Sequence, residues 1–476
     1  MNTTTNTNSE NYKEKRRTFV DSFINSKYSP EIINNLSDNE KKASEVYNKF
    51  LKAAKETLTS NFINDSIYWM KDEFPKDFFK LITKMPKGGL LHAHMEVTGT
   101  PSVLLKMALN DEDLYYNPKD DTLKLFVNKE MIDENYINVF KNKYKENMPE
   151  IIKNSLYYTR KDADNANHWS IFQYKIDNMI GIQNTTKYLK EHVLDALNSS
   201  IDEGILIFQG RIVLGHFRDY DTDENVSVEK ELDVYLEAYE EVKKREPKFQ
   251  FHIIKLIIRN NTEECIKKNL EKFLELKSNE KYRDILLGYD LVGDELLQKS
   301  EEFSHILEEY QKKNPNDLVF YLHAGESNLE ENDNVFDNLI LGGNRIGHGI
   351  NLIKHSYLFE EFKKRKICIE SCPLSNQILN YTPDLRHHPL KTYLNYGLRV
   401  TISSDDNLLF NTSIINEDFY VCGVLMDFTL LDYKQVCYNS IVGSGLDSKI
   451  IDDVLKLWEL RWETFCSDLA NGNISS

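Results

Sequence analysis

Apolar residues recur along this chain in two rhythms. Up to about Lys84 they fall three and four apart, as in KKASEVYNKFLKAAKETL behind the capping box Ser37-Asp-Asn-Glu40, which predicts an N-terminal helical segment at residues 13–84. Beyond it, short apolar runs alternate with amphipathic stretches. The runs are GGLLHAHM (88–95), GILIFQGRI (204–212), FQFHIIKLIIR (249–259), ILLGYDLVG (285–293), LVFYLHAGE (318–326), NRIGHGI (344–350), ICIESCP (367–373) and LRVTISSDD (398–406). Segments between them, such as VEKELDVYLEAYEEVKKR and LFEEFKKRK, read as helices, and this alternation predicts an α/β fold with a parallel sheet covered on both faces. Eight strand–helix units predict a (β/α)8 TIM-type barrel over residues 85–470. An open doubly wound sheet would announce itself by a Gly-rich phosphate turn, and neither GxGxxG nor GxxxxGK[ST] occurs. The first two runs lie about 110 residues apart, far more than one helix needs, so an insertion is expected at about 101–165, serving as a lid or edge subdomain. Residues 1–12, rich in Asn, Thr and Ser, are expected to form a disordered tail.

Composition narrows the function classes. Net charge is −17, which disfavours a broad attraction to nucleic acid or to anionic lipid. No stretch reaches the roughly 20 apolar residues of a membrane-spanning helix; the best candidate, Val421 to Leu431, is short and broken by Asp427. The N-terminus MNTTTNTNSENYKEKRRTFVD is polar throughout and does not read as a secretory leader, so a cytoplasmic location is expected, with an extracellular one as the alternative. Six dispersed cysteines (265, 368, 372, 422, 437 and 466) suggest free thiols rather than a disulfide framework.

Candidate chemistry collects at the ends of the predicted strands. His92 and His94, two apart, project to one side of the first strand because side chains alternate. His323 ends the fifth strand in HAGE, His348 the sixth in RIGHG, and Asp405 and Asp406 the eighth in SSDD. Carboxyl ends of strands are the face on which barrel enzymes build their sites. Three neutral imidazoles and a carboxylate suit Zn²⁺ with a position left for water. The alternative, buried histidines bonded to backbone, requires four histidines and three carboxylates to reach matching strand ends independently. Glu326, three residues beyond His323, is placed to move protons without being a ligand. Cys368 and Cys372, on one strand face with Glu370, read as core thiols. Arg211 and Asp290 at strand ends read either as groups around the site or as a structural ion pair. Neither HExxH nor HxE…PCxxC is present.

The ordered set LHAH, HAGE, RIGHG and SSDD resembles the adenosine/AMP deaminase superfamily of metal-dependent barrels. MPKGGLLHAH (85–94), HWSIF (168–172), GYDLVGDE (288–295), CPLSNQIL (372–379), DLRHHP (384–389) and LKLWELRWETF (455–465) bring it closest to the adenosine deaminase growth factor branch, over roughly residues 37–470. The resemblance implies one Zn²⁺ per chain, held by His92, His94, His323 and Asp405, and hydrolysis of adenosine or 2′-deoxyadenosine to the inosine nucleoside and ammonia. It implies that Glu326 protonates purine N1, His348 orients or deprotonates the attacking water, Asp406 bonds N7, and the Gly293 N–H meets N3. It also implies a homodimer through the N-terminal helices. Trp169 reads either as a stacking partner for the base or sugar or as core.

Three departures bear on substrate and setting. His94 is followed by Met95-Glu96 where the growth-factor branch has HxHD and shorter deaminases HxHxD, so Glu96 stands one methylene longer in place of a sugar-contacting carboxylate. Asn407 replaces the proline of SSDDP. Residues 101–170 contain no cysteine, unlike the cysteine-bearing insertion of that branch. Two further readings stand beside the leading one: deamination of an adenine nucleotide or a modified adenosine, for which a Lys- or Arg-lined phosphate pocket would discriminate, and a growth-factor-like signalling or binding protein on the same fold.

Overall fold

A computed structural model describes residues 4–57, 74–145, 147–165, 168–295, 301–327 and 329–475. The part of the N-terminal segment at 58–73 lies outside the described residues. Eleven strands are found among them: β1 (Gly88–His94), β2 (Leu114–Asn117), β3 (Thr122–Leu125), β4 (Ile137–Asn138), β5 (Ile205–Ile212), β6 (Gln250–Ile258), β7 (Leu286–Val292), β8 (His323–Ala324), β9 (Arg345–His348), β10 (Cys368–Ser371) and β11 (Arg399–Ile402). Every one of the eight predicted runs contains a strand.

The eight long-range strands form two four-stranded parallel sheets, in the orders β1-β5-β6-β7 and β8-β9-β10-β11. Isolated parallel bridges join their outer edges, Ala93 to Asp405 and Tyr289 to Phe320. The expected continuous sheet is thus interrupted at two seams. At one seam the fifth predicted strand shortens to two residues: Tyr289 N–H donates to Val319 O at 2.9 Å and Tyr321 N–H to Tyr289 O at 3.0 Å, but pairing goes no further. A side chain at Gly288 would stand only 2.5 Å from the Tyr321 ring, so the strands approach there over bare backbone.

The strands of the two parallel sheets are buried almost throughout. Leu90, Ile207, Phe208, Ile253, Leu291, Ile369 and Val400 belong to one continuous apolar core. β-Branched and aromatic residues suit a sheet covered on both faces, and their burial is the main stabilising term. Lys87 of MPKG is buried just before β1, its ammonium donating to the carbonyls of Ile82 (3.0 Å), Met85 (3.2 Å) and Glu203 (2.9 Å).

The N-terminal segment finds its partner in the same chain. Helix Asp38–Thr57 packs on the C-terminal helix Ser448–Ala470. Trp462 Nε1 donates to Glu40 Oε1 at 2.9 Å, Tyr47 Oη to Phe428 O at 2.7 Å, and Trp458 Nε1 to Pro86 O at 3.1 Å. The run LKLWELRWETF therefore ties the appendage to the start of β1. Helix Thr4–Asn25 precedes it, so residues 4–12, expected from composition to lack structure, are helical here, continuous with Tyr12, Phe19 and Phe23. The insertion after β1 carries helix Pro101–Asn110, the three-stranded antiparallel sheet β3-β2-β4 and short helices. It leads into helix His168–Gln183, which packs over the short turn Met95–Val97 that follows β1. No helix among the described residues is long and apolar enough to cross a membrane.

Candidate active site

The carboxyl ends of β1, β8, β9 and β11 bring four histidines and two aspartates together. His92 and His94 leave β1 on one side, as alternation requires, and each points Nε2 at Asp405 Oδ1, at 3.2 and 3.3 Å. Backbone bonds fix this meeting: His94 N–H donates to Asp405 O at 3.1 Å, and Asp405 N–H to His92 O at 3.2 Å. Ring centroids of His92 lie 4.5 Å from His323 and 4.7 Å from His348. A side chain on Gly347 would stand 2.7 Å from His92 Cε1, so glycine in RIGHG makes room for that ring. His348 and Asp405 both hold left-handed backbone, with φ of 62° and 63°. Such conformations in residues with side chains concentrate at functional sites, where surrounding structure enforces them.

Behind the cluster stands a buried charge network. Asp290 Oδ2 accepts from His323 Nδ1 at 2.7 Å and from Arg211 Nε at 2.6 Å. Glu370 Oε2 lies 3.0 Å from His92 Nδ1 and accepts from Arg211 Nη2 at 2.7 Å, while its Oε1 accepts from Arg345 Nε at 2.5 Å. Burial alone would raise both carboxyls, but His323 and Arg211 hold Asp290 well below the usual carboxylate range, and Arg211 and Arg345 do the same for Glu370. Both are therefore acceptors, and His92 and His323 carry their protons on Nδ1. Each presents an Nε2 lone pair to the cluster, the arrangement by which a carboxylate orients a metal-binding histidine. Arg211 and Asp290 are thus part of the site's support. Glu370 was not legible as such, because its partners come from β1, β5 and β9 and no spacing along the chain announces them.

Three buried atoms in the cluster, His92 Nε2, His348 Nε2 and Asp405 Oδ1, have no hydrogen-bond partner. Leaving such groups unsatisfied is costly, and a cation held at His92 Nε2 and Asp405 Oδ1 removes the cost for those two. Ligand atoms of His92, His323, His348 and Asp405 lie within 4.8 Å of one another. His94, partly exposed at the mouth, forms a second such group with Asp405 and Asp406. Proximity alone therefore ranks His348 ahead of His94, and Asp405 is common to both groups. The donor set of imidazoles and carboxylate fits a divalent metal of the zinc type.

The other acids divide by environment. Burial among Asp405, Glu295 and Asp406 pushes Glu326 well above its ordinary value, favouring the protonated acid. Its Oε1 lies 3.6 Å from His348 Nε2. Burial beside Asp405 likewise pushes Asp406 up. Asp405, which burial by itself would raise, is held well below the usual range by His348, His92 and His94. Burial pushes the His323 imidazole down to about 4 and His348 well below its ordinary value, so both rings are neutral. Glu295, in DLVGDE, accepts from the N–H groups of Gly325 (3.0 Å) and Glu326 (3.2 Å) and so shapes the HAGE loop.

A cavity of about 140 Å³ opens over the cluster. His94, Glu96, Gly293, His323, Glu326, Asp405 and Asp406 line its floor and sides, with Trp169 among the apolar walls. Trp169 stacks on Phe172, centroids 5.1 Å apart and planes 14° apart. Glu96 Oε1 accepts from Val213 N–H at 2.7 Å, and burial raises its pKa against that bond. Gly293 has φ of 106°, a conformation open to glycine. Helix His168–Gln183 also supplies Gln173 and Asp177, which sequence reasoning missed because HWSIF ends just before them and a Gln and an Asp four apart on a helix carry no chemical signature. Cys368 and Cys372 are buried, free and outside the cluster.

Parallel strands with this histidine–aspartate cluster at their carboxyl ends define a metal-dependent hydrolase. Comparison with known proteins gives the family. The family model described as adenosine deaminase matches residues 142–457. "Adenosine deaminase 2" of Dictyostelium discoideum is 31% identical over 425 residues, covering 83% of this chain and 75% of that protein. A zinc-bound amidohydrolase from Burkholderia ambifaria superposes with a TM-score of 0.62 at 14% identity, covering 84% of this chain and 96% of that one. The N6-methyl-AMP deaminase of Arabidopsis thaliana superposes with a TM-score of 0.58 at 16% identity, covering 80% and 98%. The chain belongs to the adenosine deaminase family.

Proposed function

We propose that this protein hydrolytically deaminates adenosine and 2′-deoxyadenosine, using one zinc ion per chain held by His92, His94, His323 and Asp405. Bound there, zinc supplies Lewis acidity that lowers the pKa of water to roughly 7. The chain's own residues do the rest. Glu326, kept protonated by burial beside three other carboxyl groups, donates to purine N1 and makes C6 electrophilic. Asp406, likewise raised, shares a hydrogen bond with N7, and the Gly293 N–H meets N3. His348 steers the attacking water. The water oxygen adds at C6, the C6–N bond breaks, and the amino group leaves as ammonia with one of the water's protons while the other replaces the one Glu326 gave to N1.

The observation that carries the choice of a nucleoside is the charge of the cavity. Glu96, Asp177, Glu326, Asp405 and Asp406 line it, and no Lys or Arg does so among the described residues. No Lys or Arg side chain among the described residues waits there to receive a phosphate, so the nucleotide reading is the weaker one. Glu96 bonds the ribose, and Trp169 packs against base or sugar. Absorbance-monitored deamination of adenosine, 2′-deoxyadenosine and AMP by metal-quantified protein, with Glu326→Gln as control, tests this. Nucleoside turnover that disappears in the variant while zinc stays bound supports the reading; stoichiometric zinc with no turnover of any of the three sinks it.

We further infer that the eight strands close into one (β/α)8 barrel spanning 85–470, which the two edge bridges favour. The helical segment at 13–84 and the insertion at 101–165 are its appendages. Tyr12, Phe19 and Phe23 are 64–68% exposed on one face of helix Thr4–Asn25, and this favours a homodimer through the N-terminal helices. A growth-factor-like role would use the N-terminal helices and the 101–165 insertion as its working surface.

A further inference from the structure

CPLSNQIL and DLRHHP supply none of the cluster's histidines or aspartates, although Ser375 Oγ donates to Asp405 Oδ2 at 2.8 Å, and they meet directly behind His348. Leu390 N–H donates to His388 Nδ1 at 3.2 Å. A backbone N–H can only donate, so Nδ1 accepts. Burial pushes the His388 imidazole down to about 3, leaving one proton, which must sit on Nε2. That nitrogen lies 3.1 Å from Asn376 Oδ1, so the amide presents its oxygen to His388 and its NH2 to His348. Asn376 Nδ2 lies 3.2 Å from His348 Nδ1 and donates to it. Since Nδ1 accepts, His348 carries a proton on Nε2, the nitrogen that lies 3.6 Å from Glu326 Oε1.

The orientation of the Asn376 amide follows here from a backbone group and not from a choice between its oxygen and nitrogen. Asn376 is 0% exposed, His388 3% and His348 1%, so water has little access to rescue a mismatched partner. His348 therefore has the opposite polarity to His92 and His323, whose Nδ1 atoms face carboxylates and whose Nε2 lone pairs face the cluster. A ring with hydrogen on Nε2 cannot ligate a metal or accept a proton through that atom. It can donate to an oxygen, and Asp405 Oδ2 and Glu326 Oε1 lie 3.8 and 3.6 Å from it.

We propose that Asn376 and His388 are positioning residues that hold His348 in the Nε2–H tautomer, so that His348 serves as a hydrogen-bond donor to the attacking oxygen and neither as a fourth imidazole ligand nor as a base. The kinetic consequence rests on the deaminase reading; the tautomer does not. Asn376→Asp is the discriminating substitution: nearly the same shape, it replaces a donor by an acceptor, which moves the His348 proton to Nδ1.

Nitrogen-15 NMR of metal-free, histidine-labelled protein reads the tautomer, the His348 signals being identified by their loss in His348→Gln. In wild type, His348 Nε2 is expected to be of the protonated pyrrole type and Nδ1 of the pyridine type, with the two exchanged in Asn376→Asp. For adenosine, Asn376→Asp should lower kcat by about 10²-fold or more with KM within roughly threefold. His388→Gln, whose amide can accept from Leu390 N–H and donate to Asn376, should retain kcat within about fivefold. A wild-type spectrum with the proton on Nδ1, or an Asn376→Asp enzyme with unchanged kcat, overturns the proposal. Should Asn376→Asp fail to fold, the wild-type and His388→Gln spectra still decide. Wild-type protein that shows the Nε2–H ring but turns over no nucleoside upholds the tautomer and sinks the deaminase reading instead.

Discussion

His323 Nδ1 lies 2.7 Å from Asp290 Oδ2, and this one bond decides which nitrogen of the ring faces the cluster. The same oxygen accepts from Arg211 at 2.6 Å, so the carboxylate is charged and the imidazole proton has one place to be. Asp290→Asn replaces an obligate acceptor by a group that can also donate. We expect metal affinity to fall about 10- to 100-fold, measured by competition with a chelating dye. Unchanged affinity would show that the Asp290–Arg211–Glu370 network is structural only.

Glu326→Gln keeps size and polarity but loses the transferable proton. Loss of general-acid catalysis costs about 10²- to 10⁴-fold in kcat, and zinc content by mass spectrometry should be unaltered because the residue is no ligand. A variant that loses zinc together with activity would place Glu326 in the metal site.

Charge in the cavity predicts substrate choice. The kcat/KM for AMP should be at least about 10²-fold below that for adenosine, because no Lys or Arg among the described residues lines the cavity to receive the phosphate. Asp177→Lys should narrow the gap by raising AMP turnover, because Asp177 lines the cavity on helix His168–Gln183. Equal efficiency on both substrates in wild type would refute the nucleoside assignment.

A pH effect on stability follows from Glu231, buried on helix Val228–Arg245 with Oε2 accepting from Gly215 N–H at 2.7 Å. Burial raises its pKa from 4.5 to about 8. The folded state therefore binds a proton that the unfolded chain releases, and the stability this adds is full below pH 4.5 and lost as pH rises to 8. Glu231→Gln should gain in Tm relative to wild type as pH goes from about 5 to 8, by differential scanning fluorimetry. A Tm difference flat across that range would mean that the group is already ionised in the fold.

For the N-terminal helix, Phe19→Glu/Phe23→Glu should convert a dimer to a monomer in multi-angle light scattering with turnover retained, since neither residue is near the cavity. A wild-type monomer would remove the dimer proposal.

Local pattern was enough for much of this molecule. Runs such as GILIFQGRI and FQFHIIKLII can be satisfied only as doubly buried strands, and VEKELDVYLEAYEEVKKR only as a helix with one covered face; these are nearest-neighbour properties, written in the order of residues. Alternation likewise put His92 and His94 on one side, and strand ends located His323, His348 and Asp405. Residues 318–322 read as strand and are largely not, because extended pairing there depends on how Tyr321 meets Gly288 across a seam. Roles within the cluster were beyond any spacing. His92, His323 and His348 are the same residue type at equivalent strand ends, and what separates them is a partner brought from 278, 33 or 28 residues away: Glu370, Asp290 or Asn376. Protons go where long-range neighbours accept them, and only the folded chain assembles those neighbours.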